Sequence, residues 1–468
     1  LSDRQRSISS KRKPCHHPFL IMKISVRHQA VEILNQVLAS HDFASSLIND
    51  CLDKNSLSGT PDGRLITHLV YGVLRFRGHL DWILTKLYRG NLEILDEGIK
   101  NVLRLGLFQL KFSDRLPDFA VVNEAVKIAK IIHPDKSALV NAVLRNYLRR
   151  GDKIPFPSLK KDPAQHIAAF YSHPLWLVKK WIKIVGAEET IALCSANNEL
   201  PPLTLRVNTL KISHEEIRQK LTDTGIESQD TLFSPDGIIL KMSTHPIQKT
   251  HFFDAGFLRI QDEGAQLISY LINPVSGQSI LDACAGAGGK ATHLAAILKN
   301  TGRIVALDRN PERIAELEQE TKRLGINILE AKFCDLSESL PNYLKEKFDC
   351  VLVDAPCSGT GTLRRNPEIK WRMAQKDLRN FTAAQKIILQ NASVAVKKGG
   401  DLIYCTCSLL PEENENIVDD FLKRNSNFSL CQPPVSMNKQ LVDGRGFYRT
   451  SPHKHNMDGF FGALIRRQ

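Results

Sequence analysis

The chain has 468 residues, which is too long for one ordinary domain and predicts two or three. With 42% hydrophobic and 24% charged residues it should bury substantial cores, and its net charge of +13 favours a polyanionic partner, nucleic acid first and an acidic membrane surface second. The longest apolar runs fall short of the roughly 18 to 20 residues that a membrane span needs. The ten cysteines lack the spacing of a disulfide framework or a zinc site, so we expect a cytoplasmic protein without bound metal.

The first part of the chain predicts an all-helical domain. Residues 1–23 are polar and basic, and we expect a disordered arm or an upstream extension outside the fold. Residues 24–151 repeat apolar side chains three and four positions apart, which predicts a helical bundle. The end of its last helix is basic, either because positive charge suits a solvated helix C-terminus or because it contacts phosphate. The residues concerned are Arg145, Arg149 and Arg150.

The middle of the chain is mixed in character. A proline- and lysine-rich stretch, "KIPFPSLKKDPAQ", is typical of a linker. Between 163 and 260, "HPLWLVKKWIKIVG" has a helical period and "LTLRVNTLK" alternates like a strand. These patterns predict a small α+β segment that joins two larger domains.

From 261 to 468, strand and helix patterns alternate, which predicts an α/β doubly wound, mainly parallel sheet. The strands are "SILDACAG", "RIVALD", "ILEAKFCD", "FDCVLVDAPC" and "DLIYCTC". In such a sheet, ligands bind at the carboxyl ends of the strands. The following polar side chains should therefore line one crevice: Asp282, Asp308, Asp335, Asp354 and Cys407.

The glycine-rich turn "DACAGAGGK" predicts a ligand close to the backbone, but it lacks the spelling of a phosphate-binding P-loop. Asp308, at the second strand end, is placed to accept hydrogen bonds from both ribose hydroxyls. Asp335, at the third, could accept an adenine amino group. These residues indicate an adenosine ligand, and NAD and S-adenosylmethionine both remain open. Lys290 either orders this loop or the base pocket, or is a solvated lysine.

Two strand ends add thiols to the crevice. "DAPCSGTG" places Asp354 and Cys357 beside the cofactor, and "YCTCS" places Cys407 on the same rim, with Cys405 deeper in the strand as a candidate core thiol. Two thiols and a carboxylate beside an adenosine suggest covalent activation of an electrophilic ring. Basic residues that follow are candidates for phosphate contacts, and Trp371 for base stacking or core packing. The basic residues are Arg364, Arg365, Lys370 and Arg372.

"DACAGAGGK", "VALD", "LVDAPCSGTG" and "YCTCSLLPEENE", in this order, closely resemble the motifs of the RNA cytosine-5 methyltransferases. The helical region resembles the NusB fold. Together they imply a NusB-like RNA-binding domain at 24–151, and a Rossmann-like domain at 261–468 that methylates bacterial 16S ribosomal RNA with S-adenosyl-L-methionine. The family usually spells its first motif CAAPGGK, and here Gly286 and Ala287 replace Ala and Pro, which loosens the loop without removing a side-chain ligand.

The resemblance also implies roles for individual residues. Cys407 would be the nucleophile that adds to C6 of the cytosine, Asp354 would hydrogen-bond the N3 edge of the base within reach of the cofactor, and Cys357 would aid product release. The target cytidine must be unstacked, which favours a loop or bulge of the RNA. The implied cofactor-binding residues are Cys284, Ala285, Gly286, Ala287, Gly288, Gly289, Lys290, Asp308, Asp335 and Asp354.

Three other interpretations compete. A DNA cytosine-5 methyltransferase would use Cys357 as the attacker, but the Glu-Asn-Val type of motif is not found near it. An amino-group methyltransferase needs Asn or Asp followed by Pro-Pro and an aromatic residue, which "DAPC" does not match. An RNA-binding protein with an inactive cofactor domain is disfavoured because the acids and both thiols are intact. A monomer is the default expectation for assembly.

Overall fold

A computed structural model describes residues 25–40, 42–113, 116–242 and 246–468. The interpretation of residues 1–23 lies outside the described residues. Among those that are described, no helix combines the length and the apolar character that crossing a membrane requires.

The N-terminal region is the predicted all-helical domain, with a core formed by the apolar faces of its helices. Side-chain oxygens of Ser25, Thr60 and Asp96 accept backbone N–H groups and so begin three of the helices. The helices are α1 (Val26–Ala39), α2 (Ala44–Lys54), α3 (Pro61–Leu87), α4 (Glu97–Phe112), α5 (Asp118–Ile132) and α6 (Ser137–Arg150).

The middle region confirms the predicted α+β segment. Its four strands form an antiparallel sheet in the order β2-β3-β1-β4. The elements are α7 (Pro163–Phe170), α8 (Leu175–Ala196), β1 (Leu203–Val207), α9 (His214–Asp223), β2 (Glu227–Asp230), β3 (Gly237–Met242), α10 (His251–Asp254) and β4 (Leu258–Ile260).

The C-terminal region contains a largely parallel sheet in the order β10-β12-β9-β8-β5-β6-β7. Strands β5 to β9 pair in parallel, and β12 runs antiparallel between β9 and β10. The elements are α11 (Glu263–Ile272), β5 (Ser279–Asp282), α12 (Gly289–Ile297), β6 (Arg303–Asp308), α13 (Pro311–Leu324), β7 (Leu329–Phe333), β8 (Phe348–Asp354), α14 (Ile369–Arg372), α15 (Leu378–Ser393), β9 (Val396–Thr406), α16 (Glu415–Arg424), β10 (Phe428–Cys431), β11 (Tyr448–Arg449), α17 (Pro452–His455) and β12 (Phe461–Arg467).

The strand order reverses at β5, which lies between β6 and β8. The chain passes from β5 through α12 to β6 on one side of β5, and from β8 through α15 to β9 on the other side. A reversal of this kind opens a crevice beyond the carboxyl ends of the central strands. The sheet therefore creates its ligand crevice where the sequence placed the acids and thiols.

Residues 364–372, which we call the junction segment, tie the three regions together. The Lys370 ammonium is 1% exposed and donates to the backbone carbonyls of Arg75 and Ser172 at 3.2 Å and to Asn198 Oδ1 at 2.8 Å. Arg75 is also buried, and its guanidinium donates to the Arg364 carbonyl at 3.1 Å. The junction segment is thus a shared core element of all three regions.

Other junction side chains face the helical domain. The Trp371 indole donates to the Leu74 carbonyl at 2.6 Å, and Arg372 donates to the Val37 carbonyl. Glu368, buried as well, accepts the Ala44 N–H at 3.0 Å and so caps helix α2 from another domain.

The prediction of phosphate contacts is wrong for Arg364 and Lys370. Arg364 is 5% exposed and donates to Asn456 Oδ1 and the Leu200 carbonyl, while Lys370 is enclosed by backbone oxygens. The Arg365 guanidinium forms ion pairs with the carboxylates of two aspartates of the protein, at nitrogen–oxygen distances of 2.6 and 2.8 Å. A sequence alone does not show which neighbours enclose a charged side chain, so the basic pattern predicts surface charges here.

Candidate active site

The loop between β5 and α12 turns tightly at two glycines. Gly288 has a φ of 78°, and a Cβ there would lie 2.1 Å from Leu317 Cδ1, so only glycine fits without displacing that side chain. Gly286 has a φ of 54°, and its N–H donates to Asp308 Oδ2 at 2.8 Å. The loop backbone is therefore held against the end of β6.

Two acids stand at the ends of β6 and β7. Asp308 also accepts the Asn310 N–H at 2.8 Å, and Asp335 accepts the Ser337 N–H at 2.8 Å. Both side chains are half-buried, and a carboxylate has lone pairs for further donors. Backbone hydrogen bonds thus orient both acids while leaving them able to accept ribose hydroxyls or an amino group.

Two arginines of the middle region donate hydrogen bonds to backbone carbonyls of the glycine-rich loop and the start of α12. The Arg206 guanidinium, which is 1% exposed, donates to the Gly289 carbonyl at 2.6 Å and to Gln261 Oε1 at 2.5 Å. Arg259 donates to the Ala287 carbonyl at 2.7 Å. Sequence reasoning missed this contribution, although the strand "LRVN" that carries Arg206 could have indicated it through an arginine at a buried strand position.

Lys290 is a buried ion-pair partner. Its ammonium lies 2.5 Å from Asp354 Oδ2 and 5.3 Å from the centre of the Phe460 ring. Burial is the largest single influence on the pKa of Lys290 and lowers it, but the attraction and hydrogen bond of Asp354, together with the other acidic groups of the crevice, outweigh burial and the pKa is raised. The alternative of a solvated lysine is therefore excluded, and the pair brings the first and fourth strand ends together.

Asp282 is the most enclosed acid of the crevice. Burial, with a further contribution from the charge of Asp354, raises its pKa to about 7, and Lys290 partly opposes the shift. Among the described residues, Asp282 Oδ1 is buried and has no hydrogen-bond partner. A buried acceptor beside a glycine-rich loop and two oriented acids fits a polar ligand rich in donors, such as a nucleoside with a cationic group.

The thiols occupy two different environments. Cys407 and Cys357 are half-buried, and their sulfur atoms lie 3.4 Å apart. Cys405 is fully buried, and its thiol donates to Asp354 Oδ1 at 3.4 Å. Burial and the charge of Asp354 raise the pKa of Cys405, which keeps it a neutral thiol. The hydrogen bond with Cys407, together with burial, raises the pKa of Cys357.

Glu413 fixes the two thiol-bearing loops relative to each other. Its fully buried carboxylate accepts the Ser358 N–H at 2.8 Å, the Ser358 hydroxyl, and the Ser408 hydroxyl at 2.5 Å. Gln385 adds a longer bond of 3.2 Å. Ser358 follows Cys357 and Ser408 follows Cys407, so one carboxylate positions both. Sequence reasoning did not select Glu413, although it lies in the stretch "LLPEENE" beside the second thiol.

The crevice can therefore hold a nucleoside cofactor and present a half-buried thiol to a second reactant. Asp354 on β8 and Cys405 on β9 are neighbours in register, which brings the loop of Cys407 beside Asp354. The described part of the chain holds no group of three or more His, Cys, Asp or Glu side chains that could ligate a metal ion.

Comparisons with known proteins match all three regions. Family models match residues 24–149 (NusB family), 173–247 (RsmF/B-like methyltransferase, ferredoxin-like domain) and 269–466 (16S rRNA methyltransferase RsmB/F). The NusB-like, α+β and Rossmann-like fold prediction is thereby confirmed.

Similar relatives cover nearly the whole chain. A probable ribosomal RNA small subunit methyltransferase B of Bacillus subtilis is 34% identical over 95% of this chain and 99% of its own. The ribosomal RNA small subunit methyltransferase B of Escherichia coli is 31% identical over 94% and 98%. The crystal structure of PH0851 is 27% identical, with a TM-score of 0.79 over 95% of this chain and 100% of that one.

Proposed function

This chain belongs to the 16S rRNA methyltransferase RsmB/F family, and we propose that it methylates C5 of a specific cytidine through a covalent adduct between Cys407 and C6. Membership makes it an S-adenosylmethionine-dependent methyltransferase of small-subunit ribosomal RNA. The observation that carries the finer proposal is the half-exposed thiol of Cys407, 3.4 Å from a second thiol and beside Asp354 in the cofactor crevice.

Cys407 and Cys357 have different roles in the proposed reaction. C5 of cytosine is a weak nucleophile until a thiolate adds to C6 and removes the aromaticity of the ring. Cys407 makes that bond. Cys357, whose sulfur lies 3.4 Å from that of Cys407, aids product release. After methyl transfer its thiolate accepts the C5 proton, the bond between C6 and Cys407 breaks, and Cys407 leaves as a thiolate.

Asp354 and Lys290 serve the base during the addition. The Asp354 carboxylate accepts a hydrogen bond from the amino group on the N3 edge of the base, and the positive charge of Lys290, 2.5 Å from Asp354, offsets negative charge that develops in the ring. The cofactor supplies the methyl group. Its nucleoside is proposed to bind the loop from Cys284 to Lys290 with Asp308 on the ribose and Asp335 on the adenine.

The test uses purified protein, S-adenosylmethionine and unmodified 16S ribosomal RNA, with 5-methylcytidine measured by nucleoside mass spectrometry. We expect product from the wild type and from Cys405→Ala, and none from Cys407→Ala. If naked RNA gives no product, the same measurement on isolated small subunits distinguishes a ribonucleoprotein substrate from an inactive enzyme.

Covalent chemistry is tested separately on a denaturing gel. Cys357→Ser should accumulate a protein–RNA adduct because release is blocked, whereas Cys407→Ser should form none. The opposite pattern would exchange the roles of the two thiols and favour the arrangement of DNA cytosine-5 methyltransferases.

The division of labour in the chain is part of the proposal. We assign RNA binding to residues 24–151, the joining segment to 163–260 and methyl transfer to 261–468. The proposed catalytic residues all lie on one chain, so a cytoplasmic monomer acting on ribosomal RNA is sufficient for the reaction.

A further inference from the structure

A cavity of about 590 Å³ lies where the helical domain meets the middle region, on elements other than those of the methyl-transfer crevice. Its volume is within the range of roughly 300 to 1,000 Å³ that is usual for small-molecule sites. Helices α3, α4, α6, α7 and α8 and the stretch between α6 and α7 contribute to it, so it is complete only when both regions are assembled. Its aromatic lining is Phe76, Phe112, Tyr147, Phe156, Phe170 and Tyr171.

Two aromatic rings of this cavity pack against other rings and are also partly exposed to solvent. Phe112 stacks on Phe76, with ring centres 4.5 Å apart, and Phe170 meets Phe156 edge to face at 5.3 Å. Even so, Phe112 is 37% exposed and Phe170 is 42% exposed. Rings held in place but open to solvent in a concave site are suited to stacking on another flat ring.

Positive charge borders the same cavity. Lys111 lines it, and Arg150 precedes the lining residue Gly151 and donates to the Lys86 carbonyl at 2.8 Å, which fixes the end of α6 beside the end of α3. The lining also includes one carboxylate, Glu199, which pairs with Arg364 at 3.4 Å. The basic last turn of α6 thus ends at the cavity lining, where it complements a phosphate.

We propose that this cavity binds one unpaired nucleotide of the RNA, with its base against the exposed rings of Phe112 and Phe170 and its phosphate toward Arg150 at the basic end of α6. The inference rests on the proposed function for its ligand, since it takes RNA to be the substrate. Aromatic stacking requires a base that is free of its own stack, so the cavity accepts single-stranded RNA and rejects a duplex. It would hold the strand at a second point, away from the cytidine being methylated.

The test compares a fluorescent single-stranded RNA of about ten nucleotides with the same sequence as a duplex, by anisotropy without cofactor. The variant Phe112→Leu/Phe170→Leu keeps the apolar character and removes the rings. We expect its affinity for the single strand to fall roughly tenfold and its affinity for the duplex to change little. Phe119→Leu is the matched control, because Phe119 is 78% exposed on α5 and does not line the cavity.

Thermal unfolding of each variant shows whether the fold is retained, and Phe112→Tyr/Phe170→Tyr, which keeps the rings, should bind like the wild type. Unchanged single-strand binding by the leucine variant overturns the proposal, and so does an equal loss for the duplex or for the Phe119 control. No single-strand binding by the wild type also overturns it. Because no methyl transfer is measured, failure of the cytidine chemistry would leave this result intact.

Discussion

The crevice and the junction segment each bury one lysine, and the groups that accept its hydrogen bonds are charged in the crevice and neutral in the junction segment. Lys290 meets the carboxylate of Asp354, whereas Lys370 meets two backbone carbonyls and the side-chain oxygen of Asn198. Burial acts to lower both pKa values, but only Lys290 has a charged partner that reverses the effect. The pKa of Lys370 falls to about 7.

Because of this difference in pKa, Lys290 keeps its charge near neutral pH, whereas Lys370 can gain or lose a proton there. A lysine paired with a carboxylate stays charged at every physiological pH, which suits a site where charge develops during a reaction. A lysine surrounded by neutral oxygens can lose its proton near neutrality, so we expect the stability of the packing between the three regions to depend on pH.

The largest expected effect comes from breaking the crevice pair. Lys290→Ala leaves the Asp354 carboxylate partly buried without its partner, and we expect the free energy of unfolding to fall by about 3–5 kcal/mol. Urea denaturation measures it. Lys290→Ala combined with Asp354→Ala should recover part of the loss, and strictly additive losses would contradict the pairing.

A second prediction concerns Asp282, whose pKa is raised to about 7 by burial. Its folded-state pKa lies above the ordinary value of about 3.9, so its contribution to stability is present at low pH and is lost as the pH rises through 7. Relative to Asp282→Asn, the wild type should lose about 1.4 kcal/mol between about pH 6 and about pH 8. Urea denaturation at both pH values checks this, and a constant difference would contradict it.

The contribution of Lys370 in the junction segment to the free energy of unfolding should change with pH in the opposite direction. The pKa of Lys370 is lowered by burial to about 7, so its contribution to stability is present at high pH and is lost as the pH falls through 7. Relative to Lys370→Met, which fills the space without charge, the wild type should lose about 1.4 kcal/mol between about pH 8 and about pH 6. The same denaturation series measures both slopes, and slopes of equal sign would refute the comparison.

The smallest effect should come from Glu368, which caps α2 across the junction. Glu368→Ala removes one cap and should cost about 1 kcal/mol, concentrated in that helix. Hydrogen exchange of the first amides of α2 would report it, with α5 as the internal reference. Faster exchange in both helices alike would indicate general destabilisation instead.

The sequence predicted what depends on local patterns. Helical periodicity, strand alternation and strand-end acids placed the sheet and its crevice, because the carboxyl ends of parallel strands must meet. It could not predict that Lys370 is buried or that Glu413 positions both thiols. Charge is ordinarily a surface property, and only the tertiary structure shows which carbonyls, hydroxyls and N–H groups replace water around a particular group.

The junction segment follows the loop of Cys357 directly along the chain and ends in the core shared with the helical domain. The helical domain and the methyltransferase domain are therefore not interchangeable units. A chimaera joining this helical domain to another methyltransferase would need to carry over residues 364–372 and the surfaces that receive them. We expect a change of side chain in residues 364–372 to require a matching change on the surfaces that receive them.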